Sequence, residues 1–392
     1  MSEYTAIKQK NPKGILVFSI LILFLFYLKI VGYYGADNNS TQKVLYYVFG
    51  GITLLGFAVC ALSKKTESLI FSSASFLFFS VISTFINSST SGHFLLSSLI
   101  DQSFFFGALS VAYLLTYNKL NMQSLSNLMM AALAVYNVLY IKYRITDEAL
   151  NASAINSIYY IVLLLPFAMC NKRIVIKALG ISDIFLMAII SNKRTAFIMV
   201  AISIAVYFLI IISKNYENKG RKFILLLLLT VAVIIFVSFF DKIQKYFNFN
   251  TFDRLNQISE DNGSGRIEIY GAVWNSIKKF NLFEWMLGHG YNGVFLDSGL
   301  GVSAHNDFLE VLFDYGIFGF VAYLFMVKNI FKTAVIAFKQ KSEYFAPSVI
   351  SIIMFIFMSS LSHLIIYPSY IAYLMIFWGC MVNLNRGVEN CE

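Results

Sequence analysis

Residues Gly263 to Gly319 read GSGRIEIYGAVWNSIKKFNLFEWMLGHGYNGVFLDSGLGVSAHNDFLEVLFDYGIFG, the one long segment of the chain that is not simply apolar. The segment gathers Arg266, His289, His305, Asn306, Asp307 and Glu310 in a chain whose charged residues make up only 13%. Hydrophobic residues make up 58%, whereas soluble domains carry roughly a quarter charged residues. This composition is that of an integral membrane protein, in which about twenty apolar residues cross a hydrocarbon core of roughly 30 Å. The segment is therefore read as the working part and the apolar helices as its mount.

Windows of about nineteen residues place candidate spans near 14–34, 44–62, 68–87, 94–117, 125–143, 154–171, 174–191, 195–213, 222–240, 314–337, 346–366 and 368–385. Polar stretches such as GADNNSTQK, SKKTES, NSSTSG and KNYENKGRK separate them, since such sequences strand polar groups in lipid. The expected fold is an all-α polytopic membrane protein of about twelve spans. Residues 1–240 would form about nine spans, 241–310 a large loop and 311–392 about three spans. The start, with Lys8, Lys10 and Lys13 before the run 14–34, reads as an uncleaved first span, too long for the core of a signal peptide.

The net charge of +9 comes from Lys and Arg collected in loops, which is a topology signal rather than a nucleic-acid surface. With the N-terminus in the cytoplasm, the short outer loops hold only Lys43, Lys142, Arg144, Lys193 and Arg194, with Lys29 near the outer end of the first span. Both termini then fall inside, and the segment 241–310 falls outside. Lys193 and Arg194, in SNKRTAF, go against this bias, so an anion is expected to hold them there. Asp101 and Asp183 interrupt apolar runs and are expected to face the bundle interior with partners. Cys60, Cys170, Cys380 and Cys391 lie in or beside apolar runs with no ligand-like spacing.

Within the long segment, Ile267, Tyr270, Val273, Trp274 and Ile277 recur at helical spacing from Arg266 to Phe280, predicting an amphipathic helix on the membrane surface. Lys278 and Lys279, late in it, suit the helix dipole. LGHGYNGVF supplies glycine-punctuated backbone. A second helix is predicted from near Ala304, with His305, Leu309 and Leu312 on one face; the helix start would keep the His305 imidazole neutral. No nucleotide fingerprint or Walker sequence is present. His289 and His305 are too few for a metal site even if they meet in space. No metal, cofactor or nucleic acid is expected.

Arg194, Arg266 and His305 all fall on the outer face. Two guanidinium groups match a pyrophosphate in bidentate forks, and a neutral imidazole beside them accepts a proton from an attacking hydroxyl. The plainer reading has the arginines reaching to lipid headgroups and His305 capping a helix.

SGRIEIYGAVW, LGHGYNGV and SAHNDFLEVLFDYGIFGF resemble the O-antigen polymerase and ligase superfamily of bacterial surface-polysaccharide assembly, a likeness that reaches more loosely to SNKRTAF. The resemblance implies a GT-C-like bundle in the inner (cytoplasmic) membrane, with its site on the periplasmic loop, acting as a metal-independent inverting glycosyltransferase. Its substrate would be an oligosaccharide on undecaprenyl pyrophosphate, its setting membrane lipid, with room for a chain-length regulator. By the motif, Arg194 and Arg266 hold the pyrophosphate and His305 stands beside the acceptor. Lys193 departs from the pattern and shares the cationic role. Asn306, Glu310, Tyr291 and His289 support the site, and Gly316 or Gly319 the helix predicted from near Ala304 and its bend. The phrasing AHNDFLEV resembles polymerases more than ligases; the ligase alternative passes polysaccharide to lipid A core. A lipid-linked oligosaccharide flippase or other transporter is the alternative from a different class.

Overall fold

A computed structural model describes residues 67–91, 96–117, 121–146, 156–214 and 265–389, with 50, 51 and 58 besides. The spans expected at 14–34, 44–62 and 222–240, and most of 241–264, lie outside the described residues. Those described are helical, with no strand among them. In chain order they form α1 (Ser68–Ser91), α2 (Leu96–Tyr117), α3 (Met122–Thr146), the short α4 (Tyr159–Val162) and α5 (Leu165–Met169), α6 (Ile174–Ile190) and α7 (Arg194–Lys214). After the undescribed stretch come α8 (Arg266–Ile277), α9 (Leu282–Leu287), α10 (Gly293–Asp297), α11 (Asp307–Lys339), α12 (Phe345–Leu361) and α13 (Pro368–Glu389).

Five of these helices, α1, α2, α3, α7 and α11, are long and apolar enough to cross a membrane. Lipid offers no hydrogen bonds, so each must satisfy its backbone internally, as an α-helix does. Close approach rather than the hydrophobic effect then holds helices together. α13 lies along α2, and a Cβ on Gly379 would stand 2.6 Å from the Leu109 carbonyl oxygen. Asn383 donates to the Tyr113 carbonyl and, at 2.9 Å, to Thr116 Oγ1, and Trp378 Nε1 donates to Ser351 Oγ at 2.9 Å.

The polar expectations inside the bundle hold for Asp183, which accepts from Asn137 of α3. Asp101 is half-buried on α2. Cys170 and Cys380 are free and buried.

Two expected spans need correction. The run 154–171 is not one helix: a 3₁₀ turn at Asn156–Ile158 leads into α4, and the chain breaks at Leu163 and Leu164 before α5. Pro166, at the start of α5, has no N–H to return to Val162, so the α-helical ladder cannot cross it. The span expected to reach 366 ends at Leu361, and residues 362–367 form a turn into α13.

α11 carries the bend that builds the site end of the molecule. At Gly316, φ 62 and ψ −165 break the helix, which leaves carbonyls of the preceding turn without helical partners. The segment after α9 takes them: His289 N–H donates to Phe313 O at 3.1 Å and Gly290 N–H to Asp314 O at 2.6 Å. Ser83 of α1 also donates to Asp314 O, at 2.8 Å, and Asn87 donates to Gly288 O at 3.0 Å. A Cβ on Gly316 would stand 2.5 Å from Met286 backbone, and one on Gly288 2.4 Å from Asp314 backbone. Both glycines have positive φ, +62 and +68, so these are two chains touching through their backbones at a place only glycine allows.

A small apolar core of Val273, Ile277, Val294, Ala304 and Phe313 ties α8, α10 and the start of α11 together. The buried stripe of α8 is therefore Ile269, Val273 and Ile277. Ile267 and Trp274, read from the spacing as part of the same face, are 68% and 43% exposed and point away from this core.

Candidate functional site

Four segments remote in sequence meet at one end of the bundle. They are the turn between α6 and α7, the first turn of α8, residues 303–306 ahead of α11, and the turn 362–367 between α12 and α13.

Each is fixed by its own hydrogen bonds. Ser191 is fully buried and its Oγ accepts from Lys193 N at 3.1 Å. Asn192, with φ 56, turns the chain so that Lys193 precedes α7. Arg194 is the first residue of α7 and is half-buried. Arg266 is the first residue of α8 and Tyr270 stands one turn on, so both share a face. Arg266 Nη2 donates to Thr195 Oγ1 at 3.5 Å, joining α8 to α7.

His305 has φ 54, left-handed backbone that a non-glycine residue adopts at a cost of order 1–3 kcal/mol. It is held there from both sides. Ala304 N–H donates to Glu310 Oε2 at 2.6 Å, and Tyr270 OH donates to His305 O at 3.1 Å and to Ser360 O at 2.9 Å. The expectation that His305 opens a helix alongside Leu309 and Leu312 is thus corrected. Asn306 is the N-cap, its Oδ1 accepting from Phe308 N at 3.0 Å and Leu309 N at 3.2 Å, and α11 starts at Asp307. A short amide side chain with extended backbone satisfies first-turn donors that an imidazole one residue earlier cannot reach.

The ring partner of His305 is His363, with centroids 4.2 Å apart and planes at 35°. His363 was not singled out in the sequence because it sits inside the apolar run read as a span. The signal was nonetheless there: a lone ionisable residue in SSLSHLIIYPSY, shortly before a proline, is functional by default in a membrane chain. Its turn is pinned by the buried Asp307, whose carboxylate accepts from Leu364 N at 3.0 Å and Ile365 N at 3.3 Å. Ser303 Oγ lies 3.2 Å from His363 Nδ1.

Burial, then the charges of Arg266 and Lys193, pushes His305 down to about 4. Burial, then His305, Lys193 and Arg266, pushes His363 down to about 3. Both imidazoles are therefore neutral at neutral pH, each with a lone pair. Tyr270 is raised by burial, against the pull of Arg266 and a hydrogen bond from Asn306. The arrangement is a pair of cations beside two neutral imidazoles, suited to an anion and to a hydroxyl that must lose its proton.

The remaining expected site residues are placed as follows. Lys193 shares the histidines' surroundings with Arg266. Tyr291 supports the turn after α12, its OH donating to Ile366 O at 3.1 Å, while its N–H donates to Thr84 Oγ1 at 3.0 Å. His289 does not meet His305. It stacks on Phe313 at 4.8 Å and faces Glu284 at 4.0 Å and Asp297 at 3.7 Å. Among the described residues, no group of three or more His, Cys, Asp or Glu could hold a metal ion.

Fold and site together define a helical membrane protein with a cluster of cations and imidazoles at one end of its bundle. Residues 179–324 match the family described as O-Antigen ligase. The matched stretch runs from α6 through the Lys193 turn, Arg266 and His305 to the Gly316 bend. The match over this stretch supports the resemblance to the O-antigen polymerase and ligase superfamily. No curated protein matches it.

Proposed function

We propose that the protein is a glycosyltransferase that polymerises a surface polysaccharide at the periplasmic face of the bacterial inner membrane, both termini being cytoplasmic. The donor is an oligosaccharide on undecaprenyl pyrophosphate. The observation that carries this reading is the gathering of Arg266, Lys193 and His305, all within the family-matched stretch, with His363 packed against His305 from outside it.

In this mechanism the donor diphosphate lies against Arg266, with Lys193 and Arg194 completing the cationic side, and its polyprenyl tail stays in lipid. The terminal hydroxyl of a second lipid-linked repeat attacks the anomeric carbon from the face opposite the diphosphate. A carbon–oxygen bond to the acceptor forms, the bond to the diphosphate breaks, and the configuration inverts. His305 takes the hydroxyl proton. The electron pair leaves on the diphosphate, whose charge the fixed cations already balance, so the leaving group needs no acid. The low basicity of His305 in the free protein is caused partly by those cations. A bound dianion offsets them and makes the imidazole a better base when donor is in place.

Ligation to lipid A core is the second reading, favoured by the matched family's description as O-Antigen ligase. Purified protein in detergent, given polyprenyl-pyrophosphate-linked repeats with and without lipid A core, separates them. Lengthening of lipid-linked chains without the core supports the polymerase. Transfer only to the core selects the ligase, and no bond formation under either condition, with flipping in sealed vesicles, selects a transporter.

A further inference from the structure

The structure assigns His363 as a positioning residue for His305: its ring packs against the His305 imidazole, shields it from water and fixes its orientation. This rests on the reading that His305 serves the transfer.

His305 makes its turn in left-handed backbone and projects from a residue outside any helix. Its main chain is anchored by Tyr270 and, through Ala304, by Glu310; an anchored main chain still leaves the side-chain torsions free. The face that limits them is the His363 ring at 4.2 Å. His363 is itself only 9% exposed, and its turn is held at three points: Asp307 to Leu364 and Ile365, Ser303 to its Nδ1, and Tyr291 to Ile366. Tyr367, 37% exposed, closes the outer side of the ring at 5.4 Å. A buried imidazole tied this firmly supports a neighbour better than it reaches a substrate.

The groups facing His305 come from every packed element. Arg266 and Tyr270 belong to α8, Lys193 to the turn before α7, and His363 to the turn before α13. Asp307 and Glu310 of α11 direct carboxylate oxygens to backbone N–H groups of the neighbouring turns. Removing the His363 ring therefore opens His305 to water and leaves the cations in place. The expected result is a His305 that titrates closer to the ordinary histidine range.

The full-length protein in detergent, labelled with ¹⁵N-histidine, holds only four imidazoles, so their titrations resolve without any substrate. His363→Ala is expected to raise the His305 midpoint by about one pH unit or more and to lower kcat about tenfold, with donor KM moved less than about threefold. His363→Phe keeps the ring face but loses the Ser303 contact to Nδ1, and is expected to move the His305 midpoint no further than Ser303→Ala does and to keep most of kcat. Should the alanine variant fail to fold, Ser303→Ala, which removes the side-chain contact to Nδ1 alone, is expected to give a smaller shift of the same sign. A His305 midpoint unmoved in His363→Ala, or in Ser303→Ala where that is the variant available, overturns the proposal. So does a phenylalanine variant as inactive as His305→Ala. Inactivity of the wild-type protein on lipid-linked repeats overturns the reading of function instead, and leaves the titration result standing.

Discussion

His289 and His305 lie in the same glycine-punctuated segment, yet the fold gives them opposite surroundings. His289 is wedged between Phe280 and Phe313 with the carboxylates of Glu284 and Asp297 at its nitrogens. His305 has a second imidazole on its face and the cations Arg266 and Lys193 in its field. An imidazole beside carboxylates is a partner for them. His305, held neutral by its burial and then by the cations beside it, is no partner for them. Residue type and loop context alone do not separate the two; the sign of the neighbouring charge does.

The largest test of that contrast is activity. Arg266→Ala and His305→Ala are each expected to lower chain elongation about a hundredfold or more at unchanged protein abundance. His289→Phe, which keeps the ring stack, is expected to stay within about threefold. Elongation assayed on purified protein checks all three, and a His289 effect as large as that of His305 would erase the contrast.

Next in size is the backbone junction that holds the His289 side in place. Gly316→Ala or Gly288→Ala puts a Cβ within about 2.5 Å of backbone across the bend and asks an L-residue to hold φ near +62 or +68. A loss of about 3 kcal/mol or more is expected, read as a fall in thermal midpoint and in yield. Gly299, also at positive φ but with no atom within 4 Å of a Cβ, provides the control for left-handed backbone without the contact.

How far the sequence revealed this arrangement depends on what kind of force acts at each place. Apolar length alone located α1, α2, α3, α7 and α11, because lipid leaves an apolar run little choice but a helix. It misread 154–171, where one proline outweighed hydropathy, and carried a span through His363, where hydropathy averages over a polar turn. Arg266, Lys193 and His305 were legible as residue types on one predicted face. Their setting was not, since it comes from packing between distant segments: Asp307 holding the turn at 364–365, Glu310 holding Ala304, and Tyr270 holding His305 O. The resemblance to the polymerase and ligase superfamily pointed to His305 but carried no information on His363.

The third effect is on acid stability. His305 and His363 have depressed values in the folded protein, about 4 and about 3, while an unfolded chain takes up their protons near the ordinary 6.5. Between those limits the unfolded state binds more protons, so stability falls as pH drops from about 6.5 towards 4. Above 6.5 both states hold neutral imidazoles and this cost vanishes. Over that window the thermal midpoint of wild-type protein is expected to fall more, or rise less, than that of His305→Phe. Inorganic pyrophosphate, by offsetting Arg266 and Lys193, is expected to flatten the slope. A wild-type slope unchanged in His305→Phe would show that other groups dominate the acid limb.

The smallest effect belongs to Glu284, one of the two carboxylates that face His289. Glu284 has two jobs: Oε2 accepts from Asn281 N at 2.8 Å in a capping box that starts α9, and Oε1 faces His289 Nε2 at 4.0 Å. Glu284→Gln keeps an amide oxygen for the cap and removes the charge towards the imidazole. Capping is worth about 1 kcal/mol and a partly exposed ion pair at most about that, so the glutamine variant is expected to lose under about 0.5 kcal/mol and no activity. Asn281→Ala, which removes the acceptor for Phe283 N and Glu284 N, is expected to lose about 1 kcal/mol, again without changing elongation. If Glu284→Gln instead moved elongation as Arg266→Ala does, charge around His289 would be coupled to the transfer, and the two histidines would belong to one site rather than two.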